Sequence, residues 1–386
     1  MSTTIHKRPS SITVIGASVA GLYAAYHLAR RGVRVRVYEA QAPFKPAART
    51  LIVTPAFLRL LDFDAGEAVL NRTCVFELIS RSASARIVLN EPDVILDRAR
   101  FMALLARRAS EAGAQLVLGH RLEEMRNHRM PPFLRFAADR RQRQIVSPMV
   151  VGADGVDSRV AQAAEREEFP RVALLQARVR LPDDQPSDVV RVWFDREATR
   201  FFFWLIPESA DVGVAGLIAE TPQEAEAALD RFLAEQGLSV VDVQEDAWVP
   251  LPPLRPTPPG PWGEGRVLLV GDAAGQVKAT TVGGVVTGMR GALAVVRALT
   301  EGVPYQRAMQ PLWRELMLHA VVRRVLDGFT DEDYDRLLTL LNQRAARLLR
   351  RYHRDELVRM LWRLLPAQPG WLALGARAMV RWVRGG

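Results

Sequence analysis

Residues 267–290 read Val-Leu-Leu-Val-Gly-Asp-Ala-Ala-Gly-Gln-Val-Lys-Ala-Thr-Thr-Val-Gly-Gly-Val-Val-Thr-Gly-Met-Arg, and a helical pattern of small and apolar residues continues to Leu299. A short apolar run ends in Gly271-Asp272, a small-residue loop follows, and Gly283-Gly284 opens the helix. The order is buried strand, tight turn, glycine-rich loop and helix. Such an order makes a ligand cradle. Asp272 leaves the strand end with its carboxylate placed to bind hydroxyl groups, and the amides of a glycine-rich helix start suit an electron-rich or anionic group.

A second cradle stands near the start of the chain. Residues 12–15 form an apolar strand that runs into Gly16-Ala17-Ser18-Val19-Ala20-Gly21, and Leu22, Ala25, Tyr26, Leu28 and Ala29 follow at helical spacing. Gly32 stops the helix, and Val33, Val35 and Val37 lead to Glu39. This βαβ unit carries a dinucleotide fingerprint: glycines permit the turn and close helix packing, and a diphosphate sits on the helix N-terminus. Ser18 stands where the second glycine usually lies. Glu39 is placed to accept hydrogen bonds from an adenosine ribose, which suits FAD or NAD over NADP. A third feature, Asp154-Gly155 after the apolar run of residues 145–151, again ends a strand with an acid and a glycine. It reads either as a simple Asp-Gly turn or as a second ligand-facing turn.

The remaining chain supplies other elements. Residues 133–136 and 145–151 read as a hairpin, and residues 172–180, 188–194, 200–206 and 211–218 as four strands, with a helix at 221–235. Strands in series followed by a helix predict an antiparallel sheet in a separate lobe. Within it Phe202, Trp204 and Pro207 belong to an aromatic run with bulk on both faces, either an apolar cavity wall or plain core. Arg49 precedes an apolar stretch and reaches a cofactor phosphate or flavin edge, or is a solvated loop arginine. From Pro304 the pattern is helical, with Leu337, Leu340, Leu341, Leu348 and Leu349 continuing an apolar stripe beside many arginines.

With 386 residues, 49% of them hydrophobic, the chain can bury a large core in more than one lobe. Its net charge of +9 is almost wholly arginine, since lysine occurs only at positions 7, 45 and 278. The excess reflects either genomic composition or an anionic surface partner. Cys74 alone excludes an intrachain disulfide and a cysteine metal cluster, so a reducing, cytoplasmic location is expected and no metal site. The start lacks a signal-peptide cleavage pattern, and no uncharged apolar run reaches about 18 residues. The arginine-flanked C-terminal helices resemble either helices on an anionic membrane surface or a solvated cap. No nucleic-acid partner is expected.

Together Gly16 to Gly21 with Glu39, Asp154-Gly155 and Gly271-Asp272 resemble the FAD-dependent oxidoreductases of the para-hydroxybenzoate hydroxylase fold. The resemblance covers most of residues 10–300. It implies an α/β architecture: a Rossmann-like FAD-binding domain (10–70, 95–165 and 265–300), an inserted antiparallel β-sheet substrate domain (71–94 and 166–264) and a C-terminal helical region (301–386). By position it places the ADP moiety on Gly16, Ser18, Ala20, Gly21 and Glu39, and the ribityl chain on Gly271 and Asp272. Asp154 then serves FAD and a transient NAD(P)H, Gly283 and Gly284 face the flavin, and Arg98 matches an Arg-x-x-Phe pattern ending at Phe101.

Residues 271–284 and 202–207 are most similar to the geranylgeranyl reductase branch. Ala279 and Val282 stand where that branch has proline and glycine, and Ala47-Ala48-Arg49-Thr50 where it has a Cys-Gly-Gly run. The expected activity is reduction of carbon-carbon double bonds in an isoprenoid lipid, with no catalytic residue assigned. The alternatives are an FAD-dependent monooxygenase acting on an apolar or aromatic substrate, a halogenase resembled through Trp204-x-Ile206-Pro207, and a non-enzymatic flavin or lipid carrier.

Overall fold

A computed structural model describes residues 9–126, 131–138, 141–244, 246–253, 260, 262, 265–341 and 343–385. The chain forms two compact units. One comprises Met1–Ala47, Ala99–Pro170 and Pro250–Met317, the other Ala48–Arg98, Arg171–Val249 and Leu318–Gly386. The expected mixed α/β class holds, with a parallel sheet in the first unit and a larger, mainly antiparallel sheet in the second.

The five-stranded sheet of the first unit runs, edge to edge, Val267–Leu269, Val150–Gly152, Ser11–Ile15, Arg34–Tyr38 and Gln115–Val117, all neighbours parallel. Its strands Val150–Gly152 and Ser11–Ile15 are buried along almost their whole length, Thr13 included, so both sheet faces are covered. The helix Val19–Ala29 follows the first strand and is capped by Ser18, whose side chain accepts from the Gly21 amide. The helix Val285–Thr300 packs against it, with Ala20 Cβ 3.3 Å from the place a Gly288 Cβ would occupy. The small residues at 20 and 288 let the two backbones approach.

The expected hairpin arm at 145–151 is two elements. Phe133–Ala138 pairs with Arg141–Val146 and with Arg121–Arg126 in a three-stranded sheet, whereas Val150–Gly152 joins the parallel sheet. Pro148 has no amide to extend the ladder. Ser147 Oγ donates to the Met149 carbonyl and accepts from the Thr13 hydroxyl, each at 2.8 Å, as the chain turns from one sheet to the other. The strand that delivers Asp154 is therefore a parallel neighbour of the first strand.

The second unit holds a nine-stranded sheet. Its order is Val240–Val243, Arg171–Arg180, Val212–Ala219, Phe203–Pro207, Val189–Trp193, Val69–Ile79, Ser84–Asp97 and Thr50–Val53, with Ala247–Pro250 also paired to Arg171–Arg180. Val69–Ile79 and Val189–Trp193 run parallel, one parallel step in an otherwise antiparallel path. The helix Pro222–Glu235 starts in a capping box between Thr221 and Glu224 and covers one sheet face through Phe232, which stacks on Phe203 at 4.5 Å. The leucine stripe expected across 337–349 is interrupted: Leu337 lies on the helix Asp331–Thr339, Leu348 and Leu349 on the helix Gln343–Arg351, and Leu340 and Leu341 in the break between them. Leu357–Ala367 and Gly370–Gly385 complete the chain. No described helix is long and apolar enough to cross a membrane.

Candidate functional site

The C-terminal ends of the parallel strands gather the glycine-rich turns of the first unit. Gly16 sits at φ 94°, and a Cβ there would lie 2.5 Å from the Ala153 carbonyl oxygen. A Cβ on Gly21 would lie 2.3 Å from the Gly16 oxygen and 2.9 Å from Ala153 Cβ. Any larger residue would push the first helix off the loop, so these glycines are fixed by contact as well as by backbone conformation. Ser18 is explained locally. Its hydroxyl, 3.2 Å from the Gly21 amide, satisfies one donor of the helix start. Glu39 reaches across the same loop, one carboxylate oxygen accepting from the Ala17 amide (2.8 Å) and the other from the Gln41 amide (2.9 Å).

Beside this loop, Asp154 accepts from Ser158 Oγ at 2.5 Å and from the Val160 amide at 3.2 Å, so its carboxylate also caps the helix Arg159–Ala163. Burial pushes its pKa above the usual carboxylate range, while the Ser158 and Val160 hydrogen bonds act in the opposite direction. Gly155 at φ 86° has open space where a side chain would be, which leaves its backbone accessible.

The turn at Gly271, φ 67°, meets the fingerprint helix directly, with Ala20 Cβ 3.0 Å from a Cβ placed on Gly271. Ala20 is thus the residue on which both cradles close. Asp272 Oδ1 lies 3.1 Å from the Cβ position of Gly284, so the acid stands at the start of the helix Val285–Thr300. Gly284 is the N-cap and offers no side chain to the first-turn amides. Between them the chain makes a tight turn in which Lys278 receives the Val282 amide at 2.8 Å and donates its own amide to the Gly283 carbonyl at 3.2 Å. Lys278 is buried with its aliphatic chain over Gly283. Val282 is held at φ 52°, a left-handed conformation costly for a β-branched residue.

One structural residue escaped the sequence reading. Gln276 is buried, its Oε1 accepts from the Gly271 amide at 2.8 Å, and its carbonyl accepts from Thr287 Oγ1. It occupies the space of a missing side chain, because a Cβ on Gly291 would lie 1.9 Å from Gln276 Oε1. A glycine inside a helix was the available signal. Tyr305 adds a second brace from below, donating to the Leu269 carbonyl at 2.8 Å, and burial raises its phenol pKa.

The structure therefore brings Gly16, Ser18, Ala20, Gly21, Glu39, Asp154, Gly271, Asp272, Gly283 and Gly284 into one unit. Arg49, Arg98, Phe202, Trp204 and Pro207 belong to the other. There Arg49 donates to the Asp246 carbonyl at 3.0 Å, and Arg98, at the head of the helix Arg98–Glu111, donates its amide to the Arg49 carbonyl at 2.9 Å. The aromatic strand alternates after all: Phe203 and Leu205 join the core under the helix Pro222–Glu235, while Phe202 and Trp204, in edge contact at 5.9 Å, belong to the opposite face. Trp204 lies over Gly216, whose Cβ would fall 2.6 Å from Trp204 Cζ2. Its indole nitrogen is buried without a hydrogen-bond partner among the described residues. Pro207 is buried at the strand end.

The first unit fits an adenine-flavin dinucleotide on its own geometry: a helix start beside closely packed glycines for the diphosphate, and a carboxylate at a second helix start without a side-chain cap. Residues 10–308 match the family model described as FAD binding domain. The chain is similar to digeranylgeranylglycerophospholipid reductase 2 of Methanothermobacter thermautotrophicus, 28% identical over 86% of this chain and 91% of the relative. It is 25% identical to geranylgeranyl diphosphate reductase of Rhodobacter capsulatus over 83% of each chain. Among solved structures, a geranylgeranyl bacteriochlorophyll reductase-like protein from Thermoplasma acidophilum shares the fold, with a TM-score of 0.77, 17% identity, and coverage of 94% of this chain and 98% of that one.

Proposed function

Because the chain belongs to the FAD binding domain family, we propose that it is an FAD-dependent reductase of carbon-carbon double bonds in a geranylgeranyl-type lipid, drawing its electrons from NAD(P)H. One observation carries the reading. The similarity to a digeranylgeranylglycerophospholipid reductase spans 86% of the chain, and so extends into the second unit beyond the cofactor motifs. Cofactor motifs alone would fit a reductase and an oxygenase equally.

When bound, FAD supplies hydride-transfer chemistry. The chain's own contributions follow from its residues. The loop from Gly16 to Gly21 would hold the diphosphate at the first helix start, and Glu39 would orient the ribose. Asp272 would hold the ribityl hydroxyls, and the first-turn amides after Gly284 would offer partial positive charge to an electron-rich flavin ring. In the second unit, the sheet face carrying Phe202 and Trp204 is the apolar face proposed for the prenyl chain.

The reading is tested by incubating the flavin-loaded protein with NADPH or NADH and a geranylgeranyl-bearing lipid, with and without oxygen, and weighing the product. Addition of two hydrogens per double bond without oxygen supports it. Oxygen-dependent gain of an oxygen atom replaces it with a monooxygenase.

A further inference from the structure

The excess positive charge of the molecule is concentrated at one end of the sequence. Residues 343–386 contain ten arginines against two carboxylates, so this segment carries nearly all of the chain's net +9. Three consecutive helices bear nine of the ten, Arg354 lying in the connection between the first two, and each helix is anchored by buried residues on one face. Gln343–Arg351 buries Ala345, Leu357–Ala367 buries Leu357 and Leu364, and Gly370–Gly385 buries Leu374 and Ala378 against Phe329 and Tyr334. Gly328 allows that last helix to come close, since its Cβ would fall 2.3 Å from the Ala378 oxygen. The outer faces therefore have a defined orientation and are left to solvent.

Those outer faces mix cations with apolar side chains. Trp362 is 79% exposed and sits between the exposed Arg359 and Arg363. On the last helix Leu372 and Val380, 52% and 49% exposed, line up with Ala376 at four-residue spacing beside Arg377. A tryptophan fully presented to water between arginines, and an aliphatic row beside another, are the features of a helix that inserts shallowly among lipid headgroups.

From this pairing of exposed apolar side chains with cations we infer that residues 343–381 dock on an anionic phospholipid bilayer, with Trp362, Leu372 and Val380 entering the headgroup region and the exposed arginines, among them Arg359, Arg363 and Arg377, paired to lipid phosphates; Arg354, held by buried Asp93, takes no part. Other occupants explain less. A nucleic acid backbone accounts for the arginines and leaves the exposed tryptophan and aliphatic row without a role. A two-fold pairing with a second copy would bring the same arginine-rich patch against itself. The inference goes beyond the functional reading and does not depend on it, because the vesicles that test it contain no prenyl lipid.

The full-length flavoprotein is sedimented with vesicles of phosphatidylcholine alone and of phosphatidylcholine with phosphatidylglycerol. Sedimentation with the anionic vesicles only, reduced at least about tenfold by Arg359→Glu/Arg363→Glu/Arg377→Glu and weakened by salt, is expected. Trp362→Ser should lower binding without removing the charge preference, and quenching of fluorescence by brominated acyl chains should fall in Trp362→Phe. Equal recovery with both vesicle types, or anionic binding indifferent to the triple charge reversal, overturns the inference. So does duplex DNA binding without vesicle binding, or a dimer in solution that Trp362→Ser dissociates. Normal FAD absorbance in each variant shows that it has folded.

Discussion

Val282 shows how one residue records a departure from its neighbours. Its φ of 52° is the conformation a glycine would adopt without strain, and a valine there is strained by roughly 1–2 kcal/mol. Val282→Gly should raise stability by about 1 kcal/mol in urea unfolding, since relief of strain outweighs the added chain entropy. An unchanged or lower midpoint would refute the strain. Gly21→Ala works in the opposite sense: its methyl group meets the Gly16 oxygen, so the purified protein should lose most of its FAD absorbance.

His27 gives a pH signature. Burial foremost, then Arg31 and Arg30, lowers its pKa from 6.5 to about 4, with the ring edge-on to Tyr23 at 4.5 Å. The unfolded chain takes up this proton near 6.5 and the folded protein does not, so its contribution to stability is complete above 6.5 and is lost as the pH falls toward 4. His27→Gln should flatten urea midpoints across that interval, and parallel slopes for both proteins would contradict the assignment. The sequence displayed Val282 and the glycines plainly. Gln276 was invisible because its role depends on a gap at Gly291, a residue fifteen positions away that only the helix crossing brings to it.

At the scale of elements, side chains hold the C-terminal segment to the sheet. Arg354 bonds Asp93, which is fully buried on the strand Ser84–Asp97, and Thr54 Oγ1 donates to Asp355. Asp93→Ala leaves the Arg354 guanidinium without its buried partner and should cost about 3–5 kcal/mol in unfolding free energy, whereas the paired change Asp93→Leu/Arg354→Met should cost much less. Equal losses in the two would show that the pair itself is not responsible. Elements with a strong local signal were legible: the βαβ unit, the helix Pro222–Glu235 with its capping box, and the strand-loop-helix around Asp272. The division at Pro148, the short edge strand Val240–Val243 and the parallel step between Val69–Ile79 and Val189–Trp193 were not, because partner choice in a sheet is set by distant strands.

For the molecule as a whole, the cofactor motifs and the second unit answer different questions. The first fix the chemistry available and were readable from glycines and acids at characteristic spacing. The second, on the proposed function, would decide what is reduced, and in sequence its aromatic run showed bulk on both faces, whose division the strand Phe203–Pro207 makes only in the fold. The central claim is that electrons leave this protein for a prenyl double bond and not for oxygen. The direct measurement is to reduce the bound flavin without oxygen, add a geranylgeranyl lipid, and follow the flavin absorbance. The account predicts that the yellow spectrum returns in proportion to the double bonds saturated; a spectrum that stays bleached with lipid and recovers only when oxygen is admitted would contradict it.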